Sequence, residues 1–433
     1  MLFRFLQANL FLIRSIATLC FLPGLAAGQP TNDTITISLP QAEQLFIKNN
    51  LQLLAQRFSI DSAKANVITA KLYDNPQFGF NSGFYQPDTK KLFDYSDDNR
   101  EIALQLSQLI KTAGKRSKAI ELAKTGVQIT EFQFYDILRS LRYTLRNDFY
   151  NTYYLQQMQQ AYNLEITSLQ KTTLAFEEQV KKGNIALKEL VRIKSQLYSL
   201  QAELAVLQGN IDDVNSEFKL LIRAEASAYV VPLVTMDERP QSVIANVTYQ
   251  SLLDSAYNNR FDLKMAKSTV TFNQQNLLLQ KALAVPDVTL NAGYDRLGSY
   301  VKGFNAVGFG INIPIFNRNQ GNIKQVVAQT ESSKLQVNAT QDAIESQVAN
   351  SYIGAVRAEK LLNSFDPAFE GDFNTLIKEV TKNYERRNIS ILEFIDFYDS
   401  YKQNVLQLNN LRYNRISQLE QLNFTTGTNI FNK

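Results

Sequence analysis

Three carboxylates near the end of the chain, Glu393, Asp396 and Asp399, recur at intervals of three residues. On a helix that interval places neighbours on roughly one face. Two chemistries are open to such a row. Gathered from several chains around a constriction, carboxylates attract cations and raise one another's pKa. Left in water, they are the solvated face of an ordinary helix. Catalysis, a third reading, has little to work with. The sequence contains no histidine, and its one cysteine is Cys20. The commonest general base, the thiolate nucleophile and the commonest transition-metal ligand are therefore missing. An enzyme would have to act through Asp/Glu pairs, and a pair such as Asp97-Asp98 reads as a solvated loop. The expectation is no enzyme, no cofactor and no resident metal.

The first 28 residues read as a secretory signal. Arg4 and Arg14 accompany a strongly apolar run within residues 11–25, and Ala26-Ala27-Gly28 supplies small residues for cleavage. The mature chain is expected to begin near Gln29. Cys20 falls inside this signal, and Leu19 precedes it where a lipidated cysteine usually follows a small residue, so lipidation is not expected. The mature chain then has no cysteine and no disulfide. The net charge of +4 comes from nearly balanced acids and bases, which gives no nucleic-acid footprint. Beyond the signal no apolar stretch reaches the roughly 18 residues of a membrane helix. Any crossing of a membrane must use strands.

The elements that would position the carboxylates come in two similar halves. Shifted by 210 residues, Asn49 falls on Asn259, Leu53 on Leu263, Asn66 on Asn276 and Lys71 on Lys281. The same shift pairs Pro76 with Pro286, Asn81 with Asn291 and Gly83 with Gly293. At a slightly smaller shift Gly183-Asn184-Ile185 and Glu189 face Arg387-Asn388-Ile389 and Glu393. A repeat of this length is a duplicated structural unit. The halves are expected at 29–245 and 246–433. Each reads helix, strand, strand, long helix, tight turn, long helix.

The first helices cover roughly Pro40 to Tyr73 and Tyr249 to Ala284, with capping residues expected at 36–39 and 246–248. Pro76 and Pro286 end them. No proline interrupts residues 88–231, and glycine is sparse outside the strands. Gly114 to Lys182 is therefore expected as one helix on the order of 100 Å long, with Ala186 to Arg223 as its antiparallel partner. Leu138, Leu141, Leu145 and Phe149 recur at threes and fours, and at this length coiled packing of helix on helix is expected. The second helical hairpin is expected over 321–423, with Pro367 splitting its first arm. Residues 226–245 form a mixed segment outside the hairpins.

Four strands are expected, at about 77–86, 99–111, 287–296 and 305–315. Phe78, Phe80 and Phe84 alternate with Gln77, Gly79, Asn81 and Gly83. Val307, Phe309, Ile311 and Ile313 alternate with Ala306, Gly308, Gly310 and Asn312. Period-two alternation gives one apolar face and one polar or small face. A run of about ten residues suits a tilted membrane strand. The assignment places Phe78, Phe80, Phe84, Phe309, Ile311 and Ile313 against lipid, with Asn81, Asn291 and Asn312 lining a wet lumen. Four strands cannot close a barrel, and lipid does not tolerate open sheet edges. Three copies would pool twelve strands, enough for an open conduit.

These landmarks resemble the TolC-like outer membrane efflux proteins over nearly the whole mature chain. Leu39-Pro-Gln-Ala-Glu-Gln-Leu-Phe-Ile-Lys-Asn-Asn is similar to that family's first helix. Leu106-Ser-Gln-Leu-Ile-Lys-Thr-Ala-Gly-Lys-Arg and Ile313-Pro-Ile-Phe-Asn-Arg-Asn-Gln-Gly-Asn-Ile resemble the strand-to-helix corners of its CzcC-like heavy-metal members. The first of these has Lys111-Thr112-Ala113 where glycine-rich residues are usual.

The resemblance implies a homotrimer in the bacterial outer membrane, a twelve-stranded barrel above an α-helical periplasmic tunnel. It implies docking to a periplasmic adaptor and an inner-membrane pump, no cofactor and no chemistry in the duct itself. Heavy-metal cations or small toxic compounds are the implied cargo, with a polypeptide as the alternative. A periplasmic coiled-coil structural or adaptor protein is the competing class, and it leaves the alternating strands unexplained. Glu393 and Asp396 match the family's pore-facing carboxylates, and Glu189 matches the acidic position of the first hairpin. Tyr384 matches the tyrosine that bonds that acid across the closed entrance. The family's arginine lock has no match, since Ile389 holds its place. Gly183, Asn184, Arg387 and Asn388 mark the two turns that meet the adaptor.

Overall fold

The computed structural model describes residues 34–431, apart from 95, 97–100, 235–243, 246, 298–300, 366 and 387. The expected signal with Cys20, the Asp97-Asp98 loop and Arg387 lie outside the described residues. The first half runs β1 (Thr34–Ser38), α1 (Leu39–Asn49), α2 (Leu51–Lys71), β2 (Gln77–Ser82), the short β3 (Tyr85–Gln86) and β4 (Lys91–Leu92), and β5 (Ile102–Ile110). It continues with α3 (Lys115–Lys181), α4 (Leu187–Ile222) and β6 (Tyr229–Leu233). The second half runs α5 (Tyr249–Asn259), α6 (Phe261–Leu283), β7 (Val288–Asp295), β8 (Phe304–Ile311), α7 (Gln320–Asn363), α8 (Pro367–Glu385) and α9 (Ile391–Thr426).

The helix expected from Pro40 to Tyr73 is broken at Asn50. That residue turns extended, with φ −62° and ψ 120°, and its Oδ1 accepts from the N–H groups of Gln52 and Leu53, each at 3.1 Å. An asparagine so placed ends one helix and caps the next. Arg260 breaks the second half at the equivalent place, with φ −66° and ψ 125°. Residues 34–38 form a strand, and its last residue, Ser38, also caps α1 within the expected 36–39. β1 pairs in parallel with β6, which ties the start of the described chain to the mixed segment between the halves. Ser38 then opens α1 with a capping box to Gln41.

α3 holds 67 residues without a break, about 100 Å of helix. Its apolar stripe is what allows that length. Met158, Tyr162, Ile166 and Leu169 pack against Leu197, Leu200, Leu207 and Ile211 of α4 and against Phe394 and Tyr398 of α9. Nearer the strands, Leu145 and Phe149 pack with Phe46, Leu53, Phe218 and Val230. α5, α6, α7 and α9 form a third apolar cluster around Leu252, Leu263, Ile344, Val348 and Leu419. In the second hairpin Pro367 stands at the first position of α8, where its missing N–H costs nothing.

Buried ions join the helices where the apolar clusters end. Arg146 of α3 lies 2.7 Å from Glu43 of α1 and 3.1 Å from Glu420 of α9. Arg260 pairs with Asp262 and donates to Gln347 of α7 at 2.7 Å and to the Thr425 carbonyl of α9 at 3.3 Å. At the corner between helix and sheet, Lys115 reaches Asp287 at 2.6 Å and the Val285 carbonyl at 2.6 Å.

β2, β5, β7 and β8 form one antiparallel sheet in that order, with β2 and β8 as its edges. The central pairing, β5 with β7, comes from different halves.

Candidate functional site

The sheet register decides which side chains share a face, because directly paired residues point the same way. Phe78 pairs with Leu106 and Phe80 with Leu104. Leu104 pairs with Tyr294 and Ile110 with Val288. Leu290 pairs with Phe309 and Val288 with Ile311. One face of the sheet is therefore largely apolar across all four strands, with Gln108 and Asn305 as polar residues in its register. Several of its members are exposed in the single chain, Phe78 at 70%, Phe309 at 72% and Val307 at 89%, while Leu104 and Val288 are half-buried. The opposite face carries Gly79, Asn81, Gln105, Ser107, Asn291, Gly293 and Gly308.

Two of the expected face residues lie outside the ladders. β2 stops at Ser82, so Phe84 sits in the following turn, its ring edge-on to Phe93 at 5.2 Å. β8 stops at Ile311, so Ile313 and Asn312 follow the strand. Both apolar side chains are exposed, but alternation no longer orients them.

At the other end of the long helices the two turns use one hydrogen-bond pattern. In the first, Gly183 N–H donates to the Val180 carbonyl at 2.9 Å and Asn184 N–H to the Gln179 carbonyl at 2.9 Å. This is a Schellman closure, and Gly183 at φ +74° supplies the left-handed residue it needs. In the second, Asn388 N–H donates to the Asn383 carbonyl at 2.8 Å. The asparagine side chains repeat as well, Asn184 to Gln179 at 2.8 Å and Asn388 to Asn383 at 3.3 Å.

The expected gate residues lie beside these turns, in unequal settings. Glu393 is the third residue of α9 and takes part in a capping box. Ser390 N–H donates to its carboxylate at 2.7 Å, and its own N–H donates to Ser390 Oγ at 3.3 Å. Those bonds from Ser390 hold its carboxyl below the usual range. Glu393 and Asp396 are both exposed, while Phe394 and Tyr398 turn into the bundle. Asp399 leaves the row. It pairs with Lys402 at 3.1 Å and accepts from Gln196 of α4 at 3.3 Å.

Tyr384 does not bond Glu189 in this structure. Its ring stacks on Phe394 at 4.2 Å and on Phe176 at 5.8 Å. Its hydroxyl is buried without a hydrogen-bond partner among the described residues. Burial, and then the nearby Glu189 charge, push its phenol well above the ordinary tyrosine value. An unpartnered buried hydroxyl gives nothing back for its lost water. Tyr384→Phe is therefore expected to leave thermal stability unchanged or raised, within about 1 kcal/mol. A clear loss in a melting experiment would show that the hydroxyl has a partner in the working state.

Sequence reasoning missed the ions that stitch the hairpins together: Arg146 with Glu43 and Glu420, and Lys402 with Glu203 and Asp399. Among the described residues no group of His, Cys, Asp and Glu side chains is gathered as a metal site. No described helix is long and apolar enough to cross a membrane.

The family model of the outer membrane efflux proteins matches twice along this chain, over residues 43–219 and 252–428. The chain belongs to the outer membrane efflux protein family. The cobalt-zinc-cadmium resistance protein CzcC of Cupriavidus metallidurans is 19% identical over 405 residues, covering 90% of this chain and 92% of CzcC. Among solved structures, the CmeC outer membrane channel of Campylobacter jejuni superposes with a TM-score of 0.71 at 14% identity, over 90% of this chain and 85% of CmeC. CusC, described with transmembrane channel formation, gives 0.70 at 16% identity, over 90% of this chain and 92% of its own. The protein is an outer membrane efflux channel with the family's architecture, α-helical hairpins joined to a membrane β-barrel.

Proposed function

We propose that three copies of this efflux protein pool their strands into one twelve-stranded barrel and their hairpins into a periplasmic tunnel. The observation that carries the reading is the sheet. Its apolar face is largely exposed across all four strands, its other face is mostly small and polar, and its edges β2 and β8 have no further strand partner among the described residues. Lipid accepts such a face but not such edges. Phe78, Phe80, Phe309 and Ile311 contact lipid in this reading, with Phe84 and Ile313 at the rims of the apolar band, while Asn81 and Asn291 line the lumen. The duct is passive. A periplasmic adaptor meets the two turns at Gly183 and Asn184 and at Arg387 and Asn388, and an inner-membrane pump supplies the energy. Heavy-metal cations are the proposed cargo, supported by the likeness to CzcC along nearly all of both chains.

Glu393 and Asp396, exposed at the start of α9 in every subunit, would bring six carboxylates to the periplasmic constriction. They make the pore cation-selective and open to block by multivalent cations from that side. Tyr384, stacked on Phe394 of the same helix start, and the nearby Glu189 belong to this end of the hairpins. The test is conductance of the purified trimer in a planar bilayer. Glu393→Gln with Asp396→Asn is expected to lower the cation-to-anion permeability ratio at least about threefold and to remove the block. Glutamine keeps the capping box, so trimer yield stays normal. Wild-type selectivity in the double variant would remove these residues from the constriction, and absence of any conductance would remove the duct.

A further inference from the structure

Lys402 of α9 is the centre of a polar knot where α3, α4 and α9 meet, and it is only 5% exposed. Its Nζ lies 3.0 Å from Glu203 Oε2 of α4 and 3.1 Å from Asp399 Oδ1 of its own helix. Tyr162 of α3 donates its hydroxyl to Glu203 at 3.0 Å. One turn away, the Tyr398 hydroxyl lies 2.9 Å from both Ser168 of α3 and Thr381 of α8. Into this knot α3 brings a third carboxyl. Glu165 is 1% exposed, and neither of its oxygens has a hydrogen-bond partner among the described residues.

We propose that Glu165 and the Lys402 knot form a proton-controlled clamp between the two helical hairpins. While Glu165 is neutral it seats α9 against α3 and α4; when it ionises, the seat loosens and the helical tunnel widens. The proposal rests on the reading of the chain as a duct.

The physics is one of counting charges around a buried acid: Lys402 and Glu165 are buried, while the Glu203 and Asp399 side chains keep 40% and 45% of their surface exposed. A single ammonium is already shared by two carboxylates. A third charge within the same knot has no hydrogen-bond donor among the described residues, and such burial is costly. The groups facing Glu165 are Lys402 and Asp399 from α9, Glu203 from α4 and Tyr162 from α3. Burial raises the Glu165 carboxyl, Lys402 opposes that, and Asp399 and Glu203 add to it, leaving it at about 8. Burial works against the Lys402 ammonium too, but Glu203 and Asp399 outweigh it and hold its pKa above the ordinary lysine value. The sign follows from proton binding. The folded clamp keeps a proton that the separated chain gives up near the ordinary carboxylate value of about 4.3. The clamp therefore weakens as pH rises from that value and stops weakening above about 8.

The test has two readouts on the same purified protein. In a planar bilayer, wild-type conductance is expected to rise at least about threefold between about pH 6 and pH 9, with a midpoint near that of the buried acid. Glu165→Gln, which keeps the shape and cannot ionise, is expected to stay at the low-pH value throughout. Asp148, another buried carboxyl, is raised to about 7 by burial and by Glu217, and it remains in both proteins. The second readout is maleimide labelling of Leu169→Cys, 1% exposed in the same apolar cluster, measured relative to the exposed Leu187→Cys. Relative labelling is expected to rise with pH in the otherwise wild-type chain and to stay flat with Glu165→Gln. A pH-independent wild type, or a Glu165→Gln variant that still opens, overturns the clamp. If folded trimers conduct at no pH, the duct reading fails instead, and the labelling alone decides whether the hairpins part.

Discussion

Phe309→Arg is expected to abolish barrel assembly, whereas Asn291→Arg, one residue along on the facing strand, leaves it intact. Phe309 pairs with Leu290 on the apolar face, and Asn291 pairs with Gly308 on the polar face. An arginine at mid-membrane costs about 2–4 kcal/mol on the lipid side. The cost recurs in each subunit of a trimer. On the other face the guanidinium enters water, and Gly308 opposite has open space beside it. Heat-resistant trimer bands after membrane extraction measure the result. Equal trimer yield from both variants would overturn the assignment of faces.

The other large effect lies in the helices. Arg146→Met is expected to destabilise the helical region by about 3–5 kcal/mol, the usual cost of removing one member of a buried ion pair. Arg146 holds Glu43 and Glu420 together, and Glu420 is 2% exposed. With the guanidinium gone, Glu420 keeps the Asn423 amide at 3.4 Å but loses its ion pair with Arg146. Arg146→Met combined with Glu420→Leu is expected to recover most of the loss, since an apolar pair of similar volume needs no counter-ion. Urea unfolding followed by far-ultraviolet circular dichroism reads both variants. A loss under about 1 kcal/mol in the single variant would mean that water reaches the Glu420 carboxylate.

Much of this architecture was legible because its signals are local. Alternation at Phe78–Phe80 and Val307–Ile311 needs no knowledge of the partner strand, and the observed register joins these residues into one face. The unbroken α3 could be read from missing prolines, and the split before α8 from Pro367. Where alternation outran pairing, at Phe84 and Ile313, the sequence pattern alone had no way to mark the end of the ladder. The breaks at Asn50 and Arg260 carry neither proline nor glycine. They depend on a side-chain cap and on buried partners far along the chain. The same holds for Glu165 and Lys402, which lie on separate helices and meet only in the folded bundle. A polar residue interrupting an apolar stripe, as Glu165 does beside Ile166 and Leu169, was the one trace available.

The two edges of the sheet have a genetic consequence. β2 comes from the first half of the chain and β8 from the second, and their directions are antiparallel. Each can therefore extend the sheet by joining the unlike edge of another copy, and a ring closes only when every copy offers both. A subunit with one spoiled edge still engages a neighbour through the other. Such a protein is expected to poison the assemblies it joins. With equal amounts of normal and spoiled subunits in a cell, only about one ring in eight would contain three sound copies. Loss of function through either edge strand should then be inherited as a dominant trait.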